Sequence, residues 1–116
     1  MSKYCVKRYK NYEYMRDKNG KYYLKNQEKE IGPFEYIWDF VSGFAIIKQN
    51  DLFGLINKDL EIVVKPKFND IYDFINEFAI AILNNKFLLI NKKGELSKEY
   101  DYILRIKGGF ARVKLE

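Results

Sequence analysis

The segment Phe34-Glu35-Tyr36-Ile37-Trp38-Asp39-Phe40 recurs as Phe68-Asn69-Asp70-Ile71-Tyr72-Asp73-Phe74. It recurs more loosely as Tyr100-Asp101-Tyr102-Ile103-Leu104-Arg105-Ile106, at offsets of 34 and then 32 residues. Each copy leads into one apolar run, Phe44-Ala45-Ile46-Ile47-Lys48, Phe78-Ala79-Ile80-Ala81-Ile82 and Phe110-Ala111-Arg112-Val113-Lys114, with the Phe-Ala pair kept throughout. A module of this size cannot bury its own apolar side, so copies in tandem must stack on one another. That requirement narrows the fold more than any other feature of the chain.

Turn chemistry divides the unit further. Asn50-Asp51 and Asn84-Asn85, with Asn19-Gly20 in the first third, tolerate positive φ and read as two-residue hairpin turns. Second strands follow at 21–26, 52–57 and 86–91, which brings Asn26, Asn57 and Asn91 into register. A polar turn (Lys58-Asp59 or Lys92-Lys93-Gly94) and a short third strand such as 61–64 complete the unit. Pro33 and Pro66 stand near the next aromatic start, where a residue without a backbone N–H suits a strand end. The apolar runs are too short for helices and are rich in Ile, Val, Phe and Tyr. The spacing predicts one all-β domain of tandem antiparallel β-hairpin repeats, a short solenoid-like or partly propeller-like twisted sheet. Its units are a diverged basic opening at 1–33, repeats at 34–67 and 68–99, and a closing partial repeat at 100–116, each pair joined by an aromatic connector.

Alternation along a strand assigns the faces. One face carries Ala45 and Ile47, then Ala79, Ala81 and Leu83, then Ala111, Val113 and Leu115, and reads as a common core. The opposite face carries Phe44, Ile46 and Lys48, then Phe78, Ile80 and Ile82, then Phe110, Arg112 and Lys114, so only the unit at 68–99 is apolar on both sides. Arg112 and Lys114 discourage edge-to-edge pairing.

This pattern resembles the WG (KWG) repeat family of β-repeat proteins, in degenerate copies. Its unit runs aromatic-Asp-x-Ile-x-x-Phe-x-x-Gly-x-Ala-x-Val, then Gly-Lys-Trp-Gly-Tyr-Ile-Asp, then a glycine turn and a short strand ending in proline. Residues 34–48 and 68–83 match the first half, with Gly43 and Gly109 at its glycine position. In the second half Trp-Gly has become Phe53-Gly54, Phe87-Leu88 and Tyr22-Tyr23, and the Asp has become Asn57 or Asn91. The resemblance implies a binding scaffold without shared catalytic residues.

The composition argues the same way. There is no histidine or threonine and only three serines, which removes the usual general base near neutral pH and the commonest zinc ligand. No catalytic residue, metal or cofactor is expected. Asp39 and Asp73 align but read as connector or capping residues. Gly94 and Gly108-Gly109 read as turn glycines. Cys5, the single cysteine, reads as an inert thiol despite Lys3, Lys7 and Arg8 nearby. One cysteine forms no internal disulfide, and no apolar run approaches the ~20 residues that span a bilayer. A cytoplasmic location is expected.

Charge singles out the opening unit. Residues 1–33 carry nine Lys and Arg against four acids, whereas 34–116 carry twelve of each, so the whole excess of +5 lies at one end. Six of the ten tyrosines lie there too. The candidate partner-binding residues are therefore Tyr4, Lys7, Arg8, Tyr9, Lys10, Tyr12, Tyr14, Arg16, Lys18, Lys21 and Tyr22, together with Trp38, the only tryptophan. Three readings stay open for this unit. It is a solvated end cap, a protein interface built on Tyr and Arg anchors, or a nucleic-acid or ribonucleoprotein surface with cations on phosphates and rings on bases. Trp38 is either a filler between units or an exposed anchor. The expected function is non-enzymatic protein binding by a monomer or edge-paired dimer. In a narrower form, the chain is a small stoichiometric inhibitor acting by surface occlusion, of the toxin-immunity or phage anti-defence (anti-CRISPR) type.

Overall fold

In the computed structural model the backbone is described for residues 2–106 and 109–115, and the side chains for residues 2–101 and 103. Short β-branched and aromatic runs separated by Asn, Asp and Gly turns form antiparallel strands, and no helix occurs among the described residues. The first sheet is a meander of β1 (Lys3–Tyr9), β2 (Tyr12–Asp17), β3 (Tyr22–Lys25) and β4 (Glu30–Phe34). The second repeats it with β5 (Tyr36–Val41), β6 (Phe44–Gln49), β7 (Leu52–Asn57) and β8 (Ile62–Phe68). The third contains β9 (Asp70–Ile71), β10 (Phe78–Leu83), β11 (Lys86–Asn91), β12 (Tyr100–Ile106) and β13 (Gly109–Leu115). None of the sheets closes into a barrel. The all-β repeat reading therefore holds.

The repeat is visible in the register. Tyr22 pairs with Phe34, Phe53 with Phe68 and Phe87 with Tyr100, so the aromatic closing each unit lies opposite the start of that unit's third strand. Because β12 joins the third sheet through that one aromatic pair, the β12–β13 hairpin stands where the first half of a further unit begins. The segment after each aromatic, expected as a connector, is itself a strand: β5 and β9 each pair with the next strand of their sheet. A unit accordingly has four strands rather than three and a link. Pro33 and Pro66 lie in β4 and β8, which flank their meanders as outer strands.

The turns follow their chemistry with one correction. Asn50 and Asp51 (φ 55° and 64°) and Asn84 and Asn85 (φ 52° and 68°) make two-residue turns of the primed type. The link at Asn19-Gly20 is longer. β2 stops at Asp17 and β3 resumes at Tyr22, with only Gly20 at positive φ (81°). The cause is Asp17, whose Oδ1 accepts the Asn19 and Lys21 amides at 2.9 and 3.0 Å. Asn57 and Asn91 organise the later turns in the same way, each side-chain oxygen accepting two downstream amides at 2.9–3.0 Å. Asn serves where the family pattern has Asp: its oxygen accepts the turn amides, while its Nδ2 donates to Glu61 or Glu95 at 2.9 and 2.8 Å. Three residues beyond these caps stand Gly20, Leu60 and Gly94, all at positive φ. Leu60 takes this costly conformation with its side chain fully buried in the core.

Asp17 is the one buried charged residue among the described side chains. Burial pushes its carboxyl upward, but the Lys21 amide, the Tyr23 hydroxyl and the Asn19 amide together hold it below the usual carboxylate value. A folded pKa below the unfolded one means that the ionised form stabilises the fold above about pH 4, and that this contribution fades as pH falls through the folded value. Thermal unfolding followed by circular dichroism between neutral pH and about pH 3 is expected to show a steeper acid loss for the native chain than for Asp17→Asn. Parallel curves would remove Asp17 as the acid-sensitive group.

Packing corrects the single common core. Tyr12, Tyr14, Leu24 and Phe34 of the first sheet meet Ile37, Ala45, Ile47, Ile56 and Leu60 of the second. On the other face of that second sheet, Ile46, Leu55, Val64 and Phe68 meet Ile71, Phe74, Ala79, Ala81, Leu88 and Ile90 of the third. The small Ala faces thus line successive layers, each turned toward the preceding sheet. The layer with core clusters on both sides is the second sheet, whereas the side-chain pattern singles out the unit at 68–99. Phe44 stacks on Phe74 at 4.5 Å across the second interface, so the larger face is core as well. The side chains of Phe110, Ala111, Arg112, Val113, Lys114 and Leu115, and residue Gly108, lie outside the described residues.

Glycine allows one unusually close strand pair. A β-carbon on Gly54 would sit 2.4 Å from the Val64 carbonyl oxygen and 2.8 Å from the Pro66 nitrogen. In the first sheet the matching strand has Tyr23, and the glycine has moved to the opposing strand. There a β-carbon on Gly32 would lie 2.7 Å from both the Tyr22 carbonyl oxygen and the Tyr23 ring.

Candidate binding groove

β1, β5 and β9 are the first strands of successive units and lie along one side of the stack, where they bound a groove of about 540 Å³. Its walls come from all three sheets: Lys7 from the first, Tyr36, Trp38 and Asp39 with Phe53 from the second, and Asp70, Tyr72 and Asp73 from the third. A shift of register between Ile37 and Phe40 takes Trp38 and Asp39 out of regular pairing with β6. Tyr14, buried beneath, donates its hydroxyl to the Trp38 carbonyl at 3.0 Å and holds the bulged backbone. Burial pushes that hydroxyl's pKa well up, so it stays a donor at ordinary pH.

Rings run in a row along the groove side. Tyr22 meets Tyr36 at 4.8 Å, Tyr36 meets Trp38 at 4.7 Å, and Trp38 meets Phe53 at 5.7 Å. Arg16 caps one end over Tyr22 at 5.3 Å, and Lys48 the other over Phe53 at 5.8 Å. Trp38 is 38% exposed, Tyr36 and Tyr72 each 41%. Trp38 is therefore half-packed, with one side in the row and the other open to the groove. Asp39 ion-pairs with Lys7, and Asp70 nearby accepts the Ile71 amide on its Oδ1 at 2.9 Å.

The family model for the "WG containing repeat" matches residues 33–53, 53–87 and 89–116. The chain belongs to the WG-repeat family. No curated protein and no solved structure matches it. The WG-repeat matches begin at the end of the first sheet, yet that sheet keeps the aromatic register of the matched units.

The candidate residues of the basic opening sheet of this WG-repeat chain are spread over several places. Tyr12 and Tyr14 are buried between sheets, Tyr12 donating its hydroxyl to the Lys58 carbonyl. Tyr22 and Arg16 start the ring row. Arg8 pairs with Glu13 at 2.8 Å and holds that carboxyl below its usual value; Lys25 joins at 3.6 Å, and Lys3 pairs with Glu30 at 3.1 Å. Cys5, expected to be inert, donates its thiol to the Lys7 carbonyl at 3.4 Å. Lys10 lies over the exposed Tyr9 in the β1–β2 turn, whereas Lys18 and Lys21 lie in the β2–β3 turn at the other end of the sheet. Tyr4 is exposed on β1. Of the candidates, only Lys7 and Trp38 line the groove. Tyr36, Tyr72 and Asp70 also line it, in a segment that reads as a connector. Treated as a strand, it puts Tyr36 and Trp38 on one face by their i, i+2 spacing.

Proposed function

We propose that this WG-repeat array is a non-enzymatic protein-binding module whose contact surface is the groove beside β5 and β9, not the basic opening sheet as a whole. The observation that carries this reading is the exposed cluster of Tyr36, Trp38 and Tyr72. Large, stiff, amphipathic rings beside charged groups are the anchors protein interfaces use most. Protein is favoured over nucleic acid because all three cations of β1 already hold in-chain carboxylates, Lys3 on Glu30, Lys7 on Asp39 and Arg8 on Glu13. Further cations sit in turns at opposite ends of the first sheet. In the narrower form of the proposal the chain is a stoichiometric antagonist, of the immunity or anti-defence kind, that covers a working surface of its target.

The test is affinity capture from the native host by the full chain and by a Trp38→Ala/Tyr72→Ala variant of matched thermal stability. The native chain is expected to retain one protein in equimolar amount through about 0.2 M salt and nuclease treatment, and the variant to lose it. Equal capture by both chains, or capture that nuclease abolishes, overturns the reading in favour of another surface or of nucleic acid.

A further inference from the structure

From the groove's charge and ring geometry we infer that its occupant is an extended basic segment of the partner protein, which sets a lysine or arginine side chain among Tyr36, Trp38 and Tyr72 against the Asp39 and Asp73 carboxylates. This inference rests on the groove being the contact surface. It adds the chemistry of what enters.

Three observations carry it. First, the groove runs against the charge of the molecule. The whole chain is +5, but the charged residues lining the groove are Asp39, Asp70 and Asp73 against Lys7 alone. Second, the walls are aromatic. The negative ring faces of Trp and Tyr attract a cation and exclude water around it, which strengthens its attraction to a nearby carboxylate. Third, the chain already supplies such a cation to the same place. The Lys7 ammonium bonds Asp39 and lies 4.8 Å from the centre of the Tyr14 ring. An ammonium between a ring and a carboxylate at the rim shows which chemistry the groove accommodates. Walls drawn from three successive sheets let an extended segment touch all three at once.

Trp38, the only tryptophan, reports on occupancy directly. The probes are three nine-residue peptides alternating valine with arginine, with citrulline or with glutamate, titrated into the full-length chain while Trp38 emission is followed. The arginine peptide is expected to give a saturable change below about 1 mM, with the citrulline and glutamate peptides at least tenfold weaker. Asp39→Asn/Asp73→Asn should weaken the arginine peptide by about tenfold. Lys7→Met, which removes the in-chain competitor for Asp39, should tighten it about two- to fivefold. The direction of the Lys7 effect separates a competing ammonium from a merely structural lysine. Circular dichroism and the thermal midpoint confirm that each variant is folded. The inference is overturned by arginine and citrulline peptides binding alike, by arginine binding indifferent to the two aspartates, or by no Trp38 response at about 1 mM. If the native partner is still captured in a Trp38-dependent way while the arginine peptide fails, the groove remains the interface and only its basic occupant is refuted.

Discussion

Replacing Gly54 with valine is expected to destabilise the protein by about 3 kcal/mol and to lower its thermal midpoint by roughly 10 °C or more. The atoms a new side chain would strike are backbone atoms of β8: the Val64 carbonyl oxygen at 2.4 Å, the Pro66 nitrogen at 2.8 Å and the Lys65 carbonyl carbon at 3.0 Å. No flexible side chain lies there to yield, so β8 must leave β7. That strand carries Val64 and Phe68 into the second interface. Gly43→Ala is the control. Its φ of 86° disfavours alanine, but nothing lies within 4 Å of the new methyl, so the cost is about 1 kcal/mol. Thermal and urea unfolding of the two variants separate close approach from backbone freedom. Equal losses would mean that strand contact at Gly54 is not the reason for glycine there.

This glycine also shows how far the sequence could be read. The change from Trp-Gly to Tyr22-Tyr23 looks like a lost motif. In three dimensions the close approach survives, with the glycine handed across the ladder to Gly32. A cross-strand exchange of that kind cannot be seen in a linear pattern, because neither position has the same neighbours twice. The hairpins at Asn50-Asp51 and Asn84-Asn85 were legible for the opposite reason. Two adjacent residues with positive φ form a local demand that two adjacent side chains answer.

The layering was half legible. Period two tells which residues share a face but not what that face meets, so Ala45 and Ala79 look identical whether they line one interior or two. They line two. The groove was less legible still. The bulge at Trp38 and Asp39 interrupts the alternation that would have marked β5 as a strand, so its rings read as connector residues. The charge count pointed to the opening sheet because it sums residues without regard to pairing. Once Lys3, Lys7 and Arg8 are matched to Glu30, Asp39 and Glu13, the charge excess no longer singles out β1.

Layering also determines how the molecule should come apart. Phe68 is fully buried, closes its unit opposite Phe53, and packs in the second interface with Ile71, Phe74 and Leu88. Phe68→Ala is expected to cost about 3–5 kcal/mol, as lost transfer energy plus the cavity left behind. In a stacked array each sheet is held mainly by its neighbours, so the loss should fall on one interface rather than on the whole molecule. Amide hydrogen exchange is expected to show protection falling in β10 and β11 while β2, β3 and β6 keep theirs. Phe34→Ala, at the equivalent place in the first interface, should reverse the pattern, exposing β2 and β3 and sparing β10. Protection falling uniformly in both variants would mean that the sheets unfold as one cooperative body. The two interfaces would then not be separable units of stability.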